Sequence, residues 1–157
     1  MRIHTYTRGL IGYILSQTWG NETTRVRISA KYHHGGKLAG RPLHVRLVRS
    51  AQGVKARGLK GFVFTDPRLT PGLEVLVDRS LKLDGEGQAI LEFSSKHRGE
   101  LGPMRYTVEA SVSDLDQQTY AGRLSKVVHP TKVYVGLKSP KRTIVESGQE
   151  ITVPVVA

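Results

Sequence analysis

Residues 81–93 read LKLDGEGQAILEF, and this stretch decides the fold class. Leu81 and Leu83 alternate with polar residues, Asp84-Gly85-Glu86-Gly87 interrupts them, and Ala89, Leu91 and Phe93 resume the alternation. Side chains two apart lie on the same side of a strand, so each run presents one apolar face. Asp-Gly between two such runs is a hairpin signal, because glycine takes a positive φ without a Cβ clash. The stretch predicts two antiparallel strands joined by a tight turn.

The same rhythm continues in both directions. Val26, Ile28, Ala30 and Tyr32 alternate. His33-His34-Gly35-Gly36 and Leu38-Ala39-Gly40-Arg41-Pro42 read as corners. Leu43 to Val48 forms the next strand, with Pro42 at its start, where a missing N–H is tolerated. Gly61 to Thr65 is a short strand, Asp66-Pro67 and Thr70-Pro71-Gly72 are turn chemistry, and Leu73, Val75 and Val77 alternate again. Beyond the central stretch, Ser94–Gly102 is a loop. A long strand from Pro103 then points Met104, Tyr106, Val108, Ala110 and Val112 inward. Thr119–Val128 is the last strand of the unit, and no segment sustains a helical period. Seven or so short strands over about 100 residues predict an all-β chain, an immunoglobulin/fibronectin-like antiparallel β-sandwich, with an open barrel as the structural rival.

His129-Pro130 marks a boundary, since proline breaks a ladder and restrains the residue before it. Val133, Val135 and Leu137, then Ile151, Val153 and Val155, restart the alternation, but two or three strands cannot bury a core by themselves. The expected organisation is a linker or tail of a preceding domain over residues 1–22, with Trp19 over one edge of a core. A sandwich domain over 23–130 follows, then the first strands of a second, truncated sandwich over 131–157. The expected core is Val26, Ile28, Leu43, Val45, Phe64, Val75, Leu91, Phe93, Tyr106 and Val108.

Composition narrows the function. With 38% hydrophobic and 24% charged residues the chain is globular rather than disordered. No apolar run approaches the ~20 residues of a helical membrane span. The patch Leu10–Leu15, broken by Gly12, is too short for a signal-peptide core of ~7–15 residues. On this reading the chain is either cytosolic or exported by a signal lying upstream. The absence of cysteine excludes disulfides, thiolate metal sites and cysteine nucleophiles. The net charge of +11 is confined to residues 1–60, which hold twelve Lys and Arg against the single acid Glu22, whereas residues 61–157 hold twelve of each sign. Alternation sets much of the charge of Arg25, Arg27, Lys31, Arg41, Arg46 and Arg49 on a solvent face, with Lys55, Arg57 and Lys60 in a polar loop. Such a face either binds a polyanion or is an ordinary solvated strand face. Base-stacking aromatics are sparse beside it and no nucleic-acid motif occurs, so nucleic acid is not expected as a partner.

No catalytic, cofactor-binding or metal site emerges. His33 and His34 point to opposite faces unless a turn bends them together, and no third ligand lies nearby. Asp84 with Glu86, and Asp114 with Asp116, offer oxygens to calcium, but all sit in turns where Asp satisfies backbone N–H groups. The glycines form no phosphate or dinucleotide fingerprint, and no serine lies in a G-x-S-x-G elbow. Asn21-Glu22-Thr23 is a glycosylation sequon, meaningful only in a eukaryotic secretory setting.

The order of the elements carries a resemblance. RVRISAKYHHGGKLAGRPLHVRL is followed by KGFVFTD, LKLDGEGQAILEF and GPMRYTVEASVSDLDQQTYAGRLSKVVHP, and the next unit opens with KVYVGL and later reads ESGQEITVPVVA. This succession resembles the macroglobulin-type β-sandwich domains of bacterial α2-macroglobulin-like proteins. Tyr32–Val45 and Leu83–Phe93 carry the match, which covers residues 24–157 and leaves the first 20 without a counterpart. The resemblance implies a structural piece of an endopeptidase inhibitor that traps proteases, built of stacked sandwiches with a cleavable bait region and often a thioester. It also implies a periplasmic or cell-envelope location and no enzyme activity. The implied partners are neighbouring domains of the same polypeptide and, through the full-length protein, target proteases; no membrane insertion is expected within this segment. The thioester needs Cys-x-x-Gln, which a chain without cysteine cannot hold, and Ser50–Lys60 is the nearest candidate for bait. The alternative is an immunoglobulin- or fibronectin-like binding module of a cell-surface protein, recognising a polyanion or polysaccharide through its basic first half.

Overall fold

A computed structural model describes residues 3–7, 10–16, 23–32, 36–54, 56–65, 72–95, 102–113, 117–140 and 146–157. The strands are β1 (Ile3–Thr7), β2 (Leu10–Ser16), β3 (Thr23–Ser29), β4 (Pro42–Ala51), β5 (Phe62–Val63), β6 (Glu74–Lys82), β7 (Gln88–Ser94), β8 (Met104–Ser113), β9 (Thr119–Val128), β10 (Gly136–Lys138) and β11 (Val155–Val156). Among the described residues there is no helix. Two four-stranded antiparallel sheets, β1-β2-β3-β7 and β6-β4-β8-β9, face one another, and a small third sheet has the order β11-β10-β5. Strict alternation builds the interface. Val26, Ile28, Ala89 and Leu91 from the first sheet meet Leu43, Val45, Leu47, Met104, Tyr106, Val108 and Val112 from the second. Leu38 and Leu83 close one end, and Phe93 stacks on Tyr106 with ring centroids 5.7 Å apart.

The central stretch folds as an arch between the sheets, not as a paired hairpin. Its turn chemistry is that of a hairpin. Gly87 N–H donates to Asp84 O (3.0 Å), Asp84 N–H donates to Gln88 O (2.8 Å), and Gly87 takes φ 70°. Asp84 Oδ1 accepts from the N–H groups of Glu86 (2.9 Å) and Gln88 (2.8 Å), which fixes the loop. Beyond it the chains part: β6 pairs with β4, and β7 pairs with β3. A local pattern places Leu81, Leu83, Ala89 and Leu91 toward one core, but a core between two layers accepts them equally well from opposite sheets.

A β-bulge redirects the start of β6. The register to β4 slips between Leu47 and Val48, so that Leu47 opposes Val77, Val48 opposes Val75 and Arg49 opposes Glu74. The extra residue lets Leu76 and Val77 both pack on the core and reverses the facing of everything before it. Val75, expected in the core, is therefore 45% exposed and Leu73 67% exposed. Arg49 shares the inward side with Leu43, Val45 and Leu47. It is only 7% exposed, contrary to its expected place on the solvent face.

Two further differences concern the ends. The first segment, expected to be a linker or tail, contains the β1–β2 hairpin, and β2 joins β3 through Leu15 opposite Arg27 and Ser16 opposite Val26. Trp19 lies outside the described residues. Phe64, expected in the sandwich core, instead meets Gly136, and β5 pairs with β10 across the expected boundary at Pro130 (Val63 with Leu137, Phe62 with Lys138).

Candidate functional site

Four of the basic residues of the first half are met by acids of the second. Arg25 Nε lies 2.6 Å from Glu92 Oε1, Arg49 Nη2 lies 2.6 Å from Glu74 Oε2, Arg46 Nε lies 3.8 Å from Asp78 Oδ2, and Lys37 pairs with Glu86. The charge that is segregated along the sequence is thus interleaved in space, because β4 is flanked by β6 and β8, and β3 by β7. Among the residues singled out for a polyanion face, Arg25, Arg46 and Arg49 are neutralised locally, and Lys55 lies outside the described residues.

One rung on the outer face of the second sheet shows this most clearly. Asp78 on β6, Arg46 on β4, Glu109 on β8 and Arg123 on β9 are consecutive cross-strand partners, so the signs alternate across the four strands. Opposite charges directly across a sheet stabilise it. Arg123 Nε donates to Glu109 Oε1 (2.8 Å), and His44 Nε2 donates to Asp78 Oδ1 (2.8 Å). The next rung holds Ser80, His44, Ser111 and Ala121, whose side chains are mostly short. The surface sinks there into an open depression of about 440 Å³ lined by His44, Arg46, Glu109, Ser111, Ala121 and Arg123. Asp78, Glu109 and Arg123 escaped the sequence reading because alternation shows which side of a strand a residue takes but not which residue opposes it.

Of the other candidates, Asp84 is a turn residue. Asp84 caps its own loop, and among the described residues no group of three His, Asp or Glu side chains could hold a metal. His33, His34, Asp114 and Asp116 lie outside the described residues. In the basic loop, Leu59 N–H donates to Ala56 O (3.3 Å) and Phe62 N–H to Leu59 O (3.2 Å). These are two successive turns with Gly58 (φ 81°) and Gly61 (φ 88°) in third position, as type II geometry requires. Arg57 and Lys60 are exposed at their corners, and Lys138 Nζ sits 5.7 Å over the Phe62 ring. The peptide bonds after Arg57 and Lys60 are held in tight turns rather than in an extended stretch.

The small sheet carries an apolar row. Val155, Leu137 and Val63 oppose one another in register and are 62%, 51% and 56% exposed. Val133, Val135, Ile151 and Val153 are also exposed. At its base His129 Nδ1 and Tyr134 OH lie 3.0 Å apart, and burial raises the Tyr134 phenol above its usual pKa.

No family model and no curated protein matches the sequence. Solved structures do match its fold. The chain is similar to the native α2-macroglobulin of E. coli, with a TM-score of 0.69 at 15% identity over 93% of this chain and 10% of that one. It is similar to Salmonella α2-macroglobulin reacted with methylamine (TM-score 0.69, 16% identity, 87% of this chain, 9% of that one). A third match is E. coli α2-macroglobulin activated by porcine elastase (TM-score 0.68, 17% identity, 92% and 14%). The sandwich expected from the sequence is thus the fold found, and the chain spans about a tenth of the length of these neighbours.

Proposed function

We propose that this chain is a structural segment of a protease-trapping protein of the α2-macroglobulin type: a sandwich over residues 23–130, its first sheet extended by the preceding hairpin, and the opening strands of a second over 131–157. The observation that carries the reading is the exposed row Val155–Leu137–Val63, flanked by four further exposed aliphatic residues. Three short strands cannot bury such a row, and an apolar surface of this kind calls for a covering layer. A second sandwich in the same polypeptide supplies one. The fold likeness, which takes in most of this chain and a small part of each neighbour, agrees with a module in a series.

On this reading the sandwich performs no chemistry. Its rigid core transmits position from one neighbouring domain to the next, in a cell-envelope protein whose target proteases meet the whole polypeptide rather than this segment. The binding-module alternative is the weaker one, since three cations of its proposed face, Arg25, Arg46 and Arg49, are paired with Glu92, Asp78 and Glu74. The test is to incubate the full polypeptide with trypsin. Trapping leaves trypsin active on a small peptide substrate and inactive on a large protein substrate. Equal activity on both overturns the proposal.

A further inference from the structure

The depression beside the charged rung is unused by a purely structural role, and its chemistry is specific. The geometry points to a binding site for a neutral polyhydroxylated ligand, a short oligosaccharide, on the outer face of β4, β8 and β9. Three charges of alternating sign line one wall (Arg46, Glu109, Arg123), and Asp78, the next partner on the same rung and 3.8 Å from Arg46, offsets the remaining positive charge from behind, so the wall has strong donors and acceptors at fixed spacing and little net charge. An anion entering the site meets Glu109; a cation meets Arg46 and Arg123. A neutral ligand with neighbouring hydroxyl groups meets no such repulsion, because each hydroxyl both donates and accepts.

The groups are preorganised by one another and not exhausted. Arg123 directs its Nε and Nη2 to a single oxygen of Glu109, which leaves Oε2 and further guanidinium N–H groups for a ligand. His44, which lines the depression, is anchored to Asp78 through Nε2, so Nδ1 is not the atom used in that pair. Ser111 supplies a hydroxyl to the floor, and the Ala121 methyl supplies an apolar contact for the C–H face of a sugar ring. The volume of about 440 Å³ lies within the range of small-molecule sites, about 300–1,000 Å³, although the depression is open on one side. Fast, weak binding follows from that openness.

The test is a titration of the whole chain, followed by backbone-amide NMR, with maltotetraose, cellotetraose and chitotetraose in turn, and with tetragalacturonate as the anionic counterpart. The expected result is a saturable shift of the Ser111, Ala121, Gly122 and Arg123 amides with at least one neutral probe, unaffected by added salt. Ala121→Trp, which fills the floor, should abolish it. Arg123→Ala should weaken it by roughly tenfold, the loss of about one hydrogen-bonding group; this variant serves if Ala121→Trp does not fold. Absence of a saturable shift with all three neutral probes overturns the inference. So does tighter, salt-sensitive binding of tetragalacturonate, which would make the site ionic. Shifts centred elsewhere, or unchanged in Arg123→Ala, overturn it as well.

Discussion

Gly136 packs against the ring of Phe64: a Cβ at position 136 would come within 2.6 Å of Phe64 Cε1 and 2.8 Å of Cζ. Gly136 does not take a positive φ, so the ring, not the backbone, demands glycine there. The contact joins the segment after Pro130 to the strand that precedes β6. Gly136→Val should expel Phe64 and break the two-pair ladder between β10 and β5, at a cost of about 1–3 kcal/mol for overpacking. Amide exchange at Val63 and Leu137 should rise while exchange in β4 and β8 stays unchanged. Protection at Val63 equal to that of the parent would contradict this.

The arch between the sheets makes a paired prediction. A Cβ at Gly87 would approach Ala30 O to 2.7 Å on a backbone already at φ 70°, whereas one at Gly85 meets nothing within 4 Å. Gly87→Ala should therefore lose more than the ~1–2 kcal/mol of the left-handed conformation alone. Gly85→Ala should stay within about 0.5 kcal/mol of the parent, as for most surface changes. Urea unfolding of the two variants checks the difference.

Arg49 is a buried cation of the sandwich, and Glu74 is an acidic neighbour across β4 and β6. Removing the carboxylate with Glu74→Ala should cost about 1–3 kcal/mol, tempered because Glu74 is itself half exposed. Replacing both residues by Arg49→Met and Glu74→Leu should recover most of that loss, since a buried ion pair is often exchanged for apolar packing at little cost. A double-mutant cycle by chemical denaturation decides it.

Deleting residues 132–157 should leave a single cooperative unfolding transition. Every fully buried apolar residue of the core lies between Val26 and Val112, and the partly buried ones that pack on it end at Val128. The truncated chain loses the partners of Phe62, Val63 and Phe64, so a modest drop in midpoint is expected. Loss of the cooperative transition would mean that the late strands belong to the first sandwich.

The alternation of Val26 with Ile28, of Leu43 with Leu47 and of Tyr106 with Val108 was legible because each strand has one wet and one dry face. What one strand cannot display is its partner. Asp84-Gly85-Glu86-Gly87 announced a turn, and the turn is there. Whether the flanking strands then join one sheet or two depends on β3 and β4, which are distant in sequence. The slip at Leu76 left no trace, since LEVLV alternates equally well in either facing, and Val75 was misplaced with it; Arg49 follows the inward alternation of Leu43, Val45 and Leu47, and its charge alone argued for solvent. The rung from Asp78 to Arg123 was illegible for the same reason. It exists only once three registers, β6 to β4, β4 to β8 and β8 to β9, are set.

The pairing of early cations with late anions bears on how the chain is made. Arg25, Lys37, Arg46 and Arg49 leave the ribosome before Glu74, Asp78, Glu86 and Glu92 exist, and residues 1–60 carry a charge of +11 at that moment. β3 can meet the earlier β2, but β4 has no partner until β6 and β8 follow, and β3 lacks β7. The nascent segment is thus a polycation with half its pairing unmade beside a polyanionic ribosome, a surface that attracts it without specificity. The acids of the second half do more than stabilise a finished sheet: they also neutralise the early cations as the later strands arrive.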